Sequence, residues 1–69
     1  MEFIEGFYSD TLETEVKVYL TWYDYDNATH YLDFEWEAHD ETGKDVTDEM
    51  STDEQDQCEA IARKYAKSL

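Results

Sequence analysis

Basic residues are scarce in this chain. Four Lys and one Arg stand against nineteen Asp and Glu in 69 residues, giving a formal charge of −14. Direct binding to DNA, RNA or an anionic membrane depends on clustered Lys and Arg, so this scarcity argues against all three. Cysteine is scarcer still: Cys58 stands alone, which leaves no internal disulfide and fits a reducing compartment. Glycine occurs only twice, and Thr42-Gly43-Lys44 lacks the upstream glycine and the following Ser/Thr of a phosphate-binding loop. No apolar run is long enough for a transmembrane helix or a signal peptide, so the expected location is cytoplasmic.

What is abundant is negative charge and aromatic side chains. A field of this sign steers the chain towards a cationic partner: the basic groove of a protein, a metal ion or a polyamine. Self-repulsion on that scale opposes folding, and a chain this short buries a small share of its surface. Six Tyr, three Phe and two Trp are the available offset, and a hydrophobic content of 41% separates the chain from disordered acidic tails. The expectation is one small acidic domain over residues 1–69.

The hydrophobic period defines the elements. Residues 2–8 read as a short strand, with Gly6 marking a bulge. From Glu15 to Tyr25, Val16, Val18, Leu20 and Trp22 point one way and Lys17, Tyr19, Thr21 and Tyr23 the other. From Tyr31 to His39, Leu32, Phe34, Trp36 and Ala38 face the core while Asp33, Glu35 and Glu37 face out. Opposed residues on antiparallel strands share a face, so the loop between these strands should have an odd length. A three-residue loop at Asp26-Asn27-Ala28, with Asn27 left-handed, pairs Trp22 with Leu32, Leu20 with Phe34 and Val18 with Trp36. Residues 40–50 form a polar connection turning near Gly43. A helix follows, opened by overlapping capping boxes at Ser51/Glu54 and Thr52/Gln55, with an apolar stripe of Cys58, Ile61, Ala62, Tyr65 and Leu69. The predicted fold class is α+β: a three-stranded antiparallel sheet (β-β-β), then one C-terminal amphipathic helix on one sheet face.

That leaves the odd-numbered sheet face open. In this register it pairs Tyr23 with Tyr31, Thr21 with Asp33, Tyr19 with Glu35 and Lys17 with Glu37. Carboxylates at 33, 35 and 37 then repeat every roughly 6.5–7 Å, a spacing comparable to backbone phosphates. The tyrosines add rigid, amphipathic contact area. Asp33, Glu35 and Glu37 also fit the solvated side of an ordinary strand. What favours a binding role is the same sign continuing through Asp40, Glu41, Asp45, Asp48, Glu49, Asp53, Glu54, Asp56 and Glu59, with Lys44 the one base among them. Helix capping uses two or three acids, so the excess indicates a second acidic surface. The candidate partner-binding residues are therefore Tyr19, Tyr23, Tyr31, Asp33, Glu35 and Glu37, extended by the acids from Asp40 to Asp56.

Catalytic and metal readings are weaker. Asp24-Tyr25-Asp26-Asn27 lacks the glycine and terminal glutamate of a calcium loop, although calcium can associate loosely with so acidic a chain. His30 and His39, on strand positions of opposite parity, and Cys58, on the helix stripe, do not form a ligand set. Carboxylate pairs are plentiful, but without a pocket none reads as an acid–base pair. The expectation is no enzyme, no cofactor and no resident metal.

In size, acidity and aromatic content the whole chain resembles the small inhibitors made by phages and mobile elements: DNA mimics, anti-restriction proteins and anti-CRISPR proteins. The resemblance rests on composition and transfers no residue. It implies a non-enzymatic blocker acting in the host cytoplasm, as a monomer or homodimer, on the basic nucleic-acid site of a defence nuclease, CRISPR effector or RNA polymerase. An immunity protein or antitoxin neutralising a cationic nuclease toxin needs the same kind of face. A third reading is an acidic module adapted to high salt or dimerising through its tyrosines.

Overall fold

A computed structural model describes all residues, Met1–Leu69. Strands β1 (Glu2–Ser9), β2 (Thr14–Asp26) and β3 (Tyr31–His39) form an antiparallel sheet in the order β1-β2-β3, and helix α1 (Thr52–Lys67) packs on one face. The predicted architecture is present. β2 is the spine: 13 residues at the strand rise span about 40 Å, matching the long dimension of a 42 × 21 × 16 Å molecule.

The core lies at one end, called here the base. Val16, Val18, Ala38, Val46, Met50 and Cys58 form one buried cluster; Leu20, Ala62 and Ala66 form a second. Val46 and Met50 come from the connection that the sequence reads as polar. The Val46 amide donates to the Ala38 carbonyl at 2.8 Å, which ties the connection to the edge of β3 and turns both side chains inward. Ala66 rather than Leu69 completes the helix stripe, because α1 ends before Leu69 and leaves it exposed. The helix start is fixed as the sequence predicts. The Ser51 hydroxyl accepts from the Glu54 amide at 3.2 Å, and Glu54 accepts from the Ser51 amide at 3.3 Å. Glu54 also accepts from buried Ser9 at 3.0 Å, joining the end of β1 to the first turn of α1.

The registers correct two expectations. In β1 the irregularity falls between Phe3 and Glu5, at Ile4, not at Gly6. The extra residue there lets Ile4 pack against both core clusters. Gly6 pairs regularly with Lys17, and its bare Cα admits the Glu15 carboxylate: a Cβ would meet Glu15 Oε1 at 3.1 Å.

The second correction concerns the β2–β3 hairpin. Its loop has four residues, Asn27 to His30, not three, and the last pair is Asp26 with Tyr31. Asp26 Oδ1 accepts from the Ala28 amide at 2.9 Å, and His30 rather than Asn27 adopts the left-handed backbone, with φ 57°. An even loop throws the two apolar faces out of step, and the chain restores them with a bulge at Thr21. Below the bulge Leu20 pairs with Trp36 and Val18 with Ala38; above it Trp22 pairs with Glu35 and Tyr23 with Phe34. One residue of slip exchanges the faces of everything beyond it. Trp22, expected in the core, therefore lies on the open face at 48% exposure, and Tyr23 lies on the helix side.

Candidate functional site

β1 ends opposite Leu20, so from Trp22 to Asp26 and from Tyr31 to Glu35 the sheet is a bare two-stranded ribbon. This arm and the open sheet face below it make one continuous surface. Read from base to tip, its cross-strand pairs are Lys17/His39, Tyr19/Glu37, Trp22/Glu35, Asp24/Asp33 and Asp26/Tyr31. Tyr19, Tyr31, Asp33, Glu35 and Glu37 share this face as expected, but none has the partner expected for it. Tyr23 is not among them. It sits on the reverse of the arm with Tyr25, Leu32 and Phe34.

Aromatic side chains line both sides. On the open face Tyr19 lies between Phe3, edge-on at 5.7 Å, and His39 at 4.8 Å. Phe3, Tyr8, Trp22, Tyr23, Tyr25 and Tyr31 are all exposed, so most of the aromatic surface is not used to build the core. On the reverse side Arg63 stacks over Phe34 at 5.0 Å. The nearby Glu2 carboxylate raises the Tyr65 phenol above its ordinary value, with burial adding to it.

The charge pattern is the sharper feature. No Lys or Arg occurs between Lys17 and Lys44, whereas Asp24, Asp26, Asp33, Glu35, Glu37, Asp40 and Glu41 all fall in that interval. Asp24 faces Asp33 directly across the ribbon. Like charges in that position oppose strand pairing, and no cation of the chain pairs with either of them.

The acids after β3 divide into two groups. Asp40 Oδ1 caps its own turn, accepting from the Thr42 hydroxyl at 2.6 Å and from the Thr42 and Lys44 amides. Asp45 does the same with the Thr47 hydroxyl at 2.6 Å and the Thr47 amide at 2.9 Å. These hydroxyl bonds hold both carboxyls below their ordinary range. Burial works to raise Glu54, but hydrogen bonds from Thr11, Ser9 and Ser51 outweigh it and lower this carboxyl too. Glu49 pairs with Lys44 at 3.3 Å. Asp40, Asp45, Glu49 and Glu54 therefore have local work in the fold. Glu41, Asp48, Asp53 and Asp56 are exposed; Asp53 also complements the α1 dipole.

Asp48 and Glu59 meet Glu35 and Glu37 around a shallow groove of about 410 Å³ along the outer edge of β3, with Thr21, Trp36 and Gln55 in its walls. The two acidic surfaces expected separately are thus joined around that edge. Of the cations on α1, Arg63 lies over Phe34 at the edge of that groove, while Lys64 and Lys67 sit beside Asp56 and Glu59. Sequence reasoning missed Trp22 and Asp24 as members of the face. No local signal marked them, because their change of face comes from the bulge at Thr21.

Little in this arrangement resembles a reaction centre. The largest groove, about 520 Å³ between β1 and α1, is lined by Ile4, Glu5, Ile61, Lys64 and Tyr65 among others. The shifted carboxyls Asp40, Asp45 and Glu54 are all shifted down, the wrong direction for a general acid at neutral pH. Burial, with the Glu54 charge behind it, pushes the Cys58 thiol up to about 11, opposite to a nucleophile's requirement. His30 lies in the hairpin loop rather than on a strand, far along the sheet from His39. No helix is long and apolar enough to cross a membrane. No known family, curated protein or solved structure matches the chain.

Proposed function

We propose that this protein is a non-enzymatic inhibitor that occupies the basic nucleic-acid-binding groove of another protein, presenting its arm and open sheet face in place of a nucleic acid. The observation that carries the reading is the Asp24/Asp33 pair, set without a cation among exposed Trp22, Tyr31 and Glu35. A fold selected for stability alone does not place two carboxylates opposite each other on a bare ribbon. A partner's Lys and Arg side chains remove that repulsion on binding, so the unfavourable pair in the free protein becomes affinity in the complex. The carboxylates of Asp33, Glu35 and Glu37 supply the phosphate-like row, and the aromatic rings supply flat, rigid area where sugars and bases would lie.

The mechanism is competition. Association is fast under electrostatic steering and weakens as salt rises. The test is capture from bacterial lysate at low salt, with the wild type and an Asp33/Glu35/Glu37→Lys variant side by side. The expected result is one nucleic-acid enzyme retained by the wild type, lost by the variant and displaced by added DNA or RNA. Early elution of the same diffuse set of basic proteins from both would overturn the reading. The identity of the retained protein separates a defence or transcription target from a cognate toxin.

A further inference from the structure

Glu37, His39 and Asp45 come together at the base end of the open face, one potential ligand atom from each lying within 4.8 Å of the others. Two features of the fold produce this. Glu37 and His39 are alternate residues of β3 and so project from the same face. Asp45 forms an isolated antiparallel bridge with His39, which places it as the cross-strand neighbour of the imidazole. The three residues are also pre-positioned. His39 Nε2 and Glu37 Oε2 are 2.9 Å apart. The imidazole is held against the Tyr19 ring and is only 16% exposed. Asp45 is locked through Oδ1 by the Thr47 hydroxyl and amide, which leaves its second oxygen open.

The structure assigns to Glu37, His39 and Asp45 a binding site for a first-row divalent cation of the zinc class. One imidazole and two carboxylates are a donor set that such ions accept, whereas calcium seeks six or more oxygens. Two ligands each about 2.05 Å from a tetrahedral zinc lie about 3.3 Å apart, so the 2.9 Å between His39 Nε2 and Glu37 Oε2 needs little adjustment. One oxygen of Asp45 already lies within 4.8 Å of the other two ligand atoms, so a small shift of its turn, with the Thr47 bonds kept, closes the set. The Thr47 bonds act as the outer shell that orients a ligating carboxylate. Lys17 pairs with His39 in the sheet, is the one cation on this face and opposes the ion. Neither ion pair of the structure involves it. The bound ion would tie the end of β3 to the connection; the site does not rest on the inhibitor reading, although it shares Glu37 with the proposed acidic row.

The experiment is a titration of the intact protein with Zn²⁺, followed by the His39 imidazole resonances and by the melting temperature, and repeated with Co²⁺ followed by visible absorption. The expected result is saturation at one equivalent, a His39 shift with His30 unmoved, and a rise in melting temperature that Ca²⁺ at equal concentration does not give. His39→Gln should remove the saturable step. Asp45→Asn, which keeps an oxygen for the Thr47 turn and so preserves the fold, should weaken binding about 10-fold or more. Lys17→Gln should tighten it. Unsaturable shifts spread over the carboxylates, an equal response to Ca²⁺, or unchanged affinity in folded Asp45→Asn would overturn the assignment.

Discussion

The base and the arm are built from the same sheet by opposite rules. In the base every favourable device agrees. Val16, Val18 and Ala38 are fully buried, Ser51 and Glu54 cap the helix reciprocally, and the connection is pinned to β3. In the arm the devices conflict: aromatic rings are exposed on both sides, Asp24 faces Asp33 with no cation paired to either, and no third strand helps. Consistency across levels is what stable folding selects, and local violations concentrate where a surface is kept for another purpose. If the arm is the binding surface proposed above, stability and binding are separated in space, and each should respond to its own substitutions.

The largest effect should come from the base. Leu20→Ala should lower stability by about 2–4 kcal/mol, as for other buried leucines, while Trp22→Ala, two residues along the same strand, should change it by less than about 1 kcal/mol. In target capture the order reverses, with Trp22→Ala losing most of the binding and Leu20→Ala retaining it as long as the protein stays folded. Chemical denaturation and capture on the same two variants check both halves. Ser51→Ala should come next, at about 1 kcal/mol, by removing one side of the capping box. It should leave arm-dependent capture intact.

A smaller effect of opposite sign sharpens the comparison. Asp24→Asn removes the like-charge pair with Asp33, so it should stabilise the protein by a few tenths, about 0.2–0.5 kcal/mol, while weakening capture. If the variant were both less stable and an equally good binder, the arm would be an ordinary solvated hairpin.

The smallest effect concerns pH. The Thr42 hydroxyl, helped by the Thr42 and Lys44 amides and the Lys44 charge and opposed by burial, holds the Asp40 carboxyl below its ordinary 3.8. A lowered carboxyl value means a contribution fully present above 3.8 that disappears as pH falls through that value and then through the lower folded one. The difference in melting temperature between wild type and Asp40→Asn should therefore be constant near neutrality and vanish in acid. A difference that persists in strong acid would mean that the Asp40 turn does not depend on its charge.

Most of the fold was legible because period and parity report directly on burial. The alternation of Val16, Val18 and Leu20 against Lys17 and Tyr19 is a two-sided strand, and Ser51-x-x-Glu54 before Cys58 and Ala62 is a capped amphipathic helix. The same parity argument misplaced the arm. It assumed that two strands in step need an odd loop, whereas the chain uses a four-residue loop and absorbs the mismatch at Thr21. Nothing about Thr21 itself marks a bulge, so Trp22 and Tyr23 exchanged faces unannounced. The row Asp33, Glu35 and Glu37 was legible because β3 carries no irregularity. Its meeting with Asp48 and Glu59 was not, since that depends on where Val46 docks the connection.

Hydrogen exchange of the free protein and of its complex with the captured target tests the separation most directly. The account predicts that residues 22–35 exchange faster than α1 in the free chain and become strongly protected in the complex, while amides of 54–66 change little. Protection gained instead on the outer side of α1, with residues 22–35 still exchanging freely, would contradict the account.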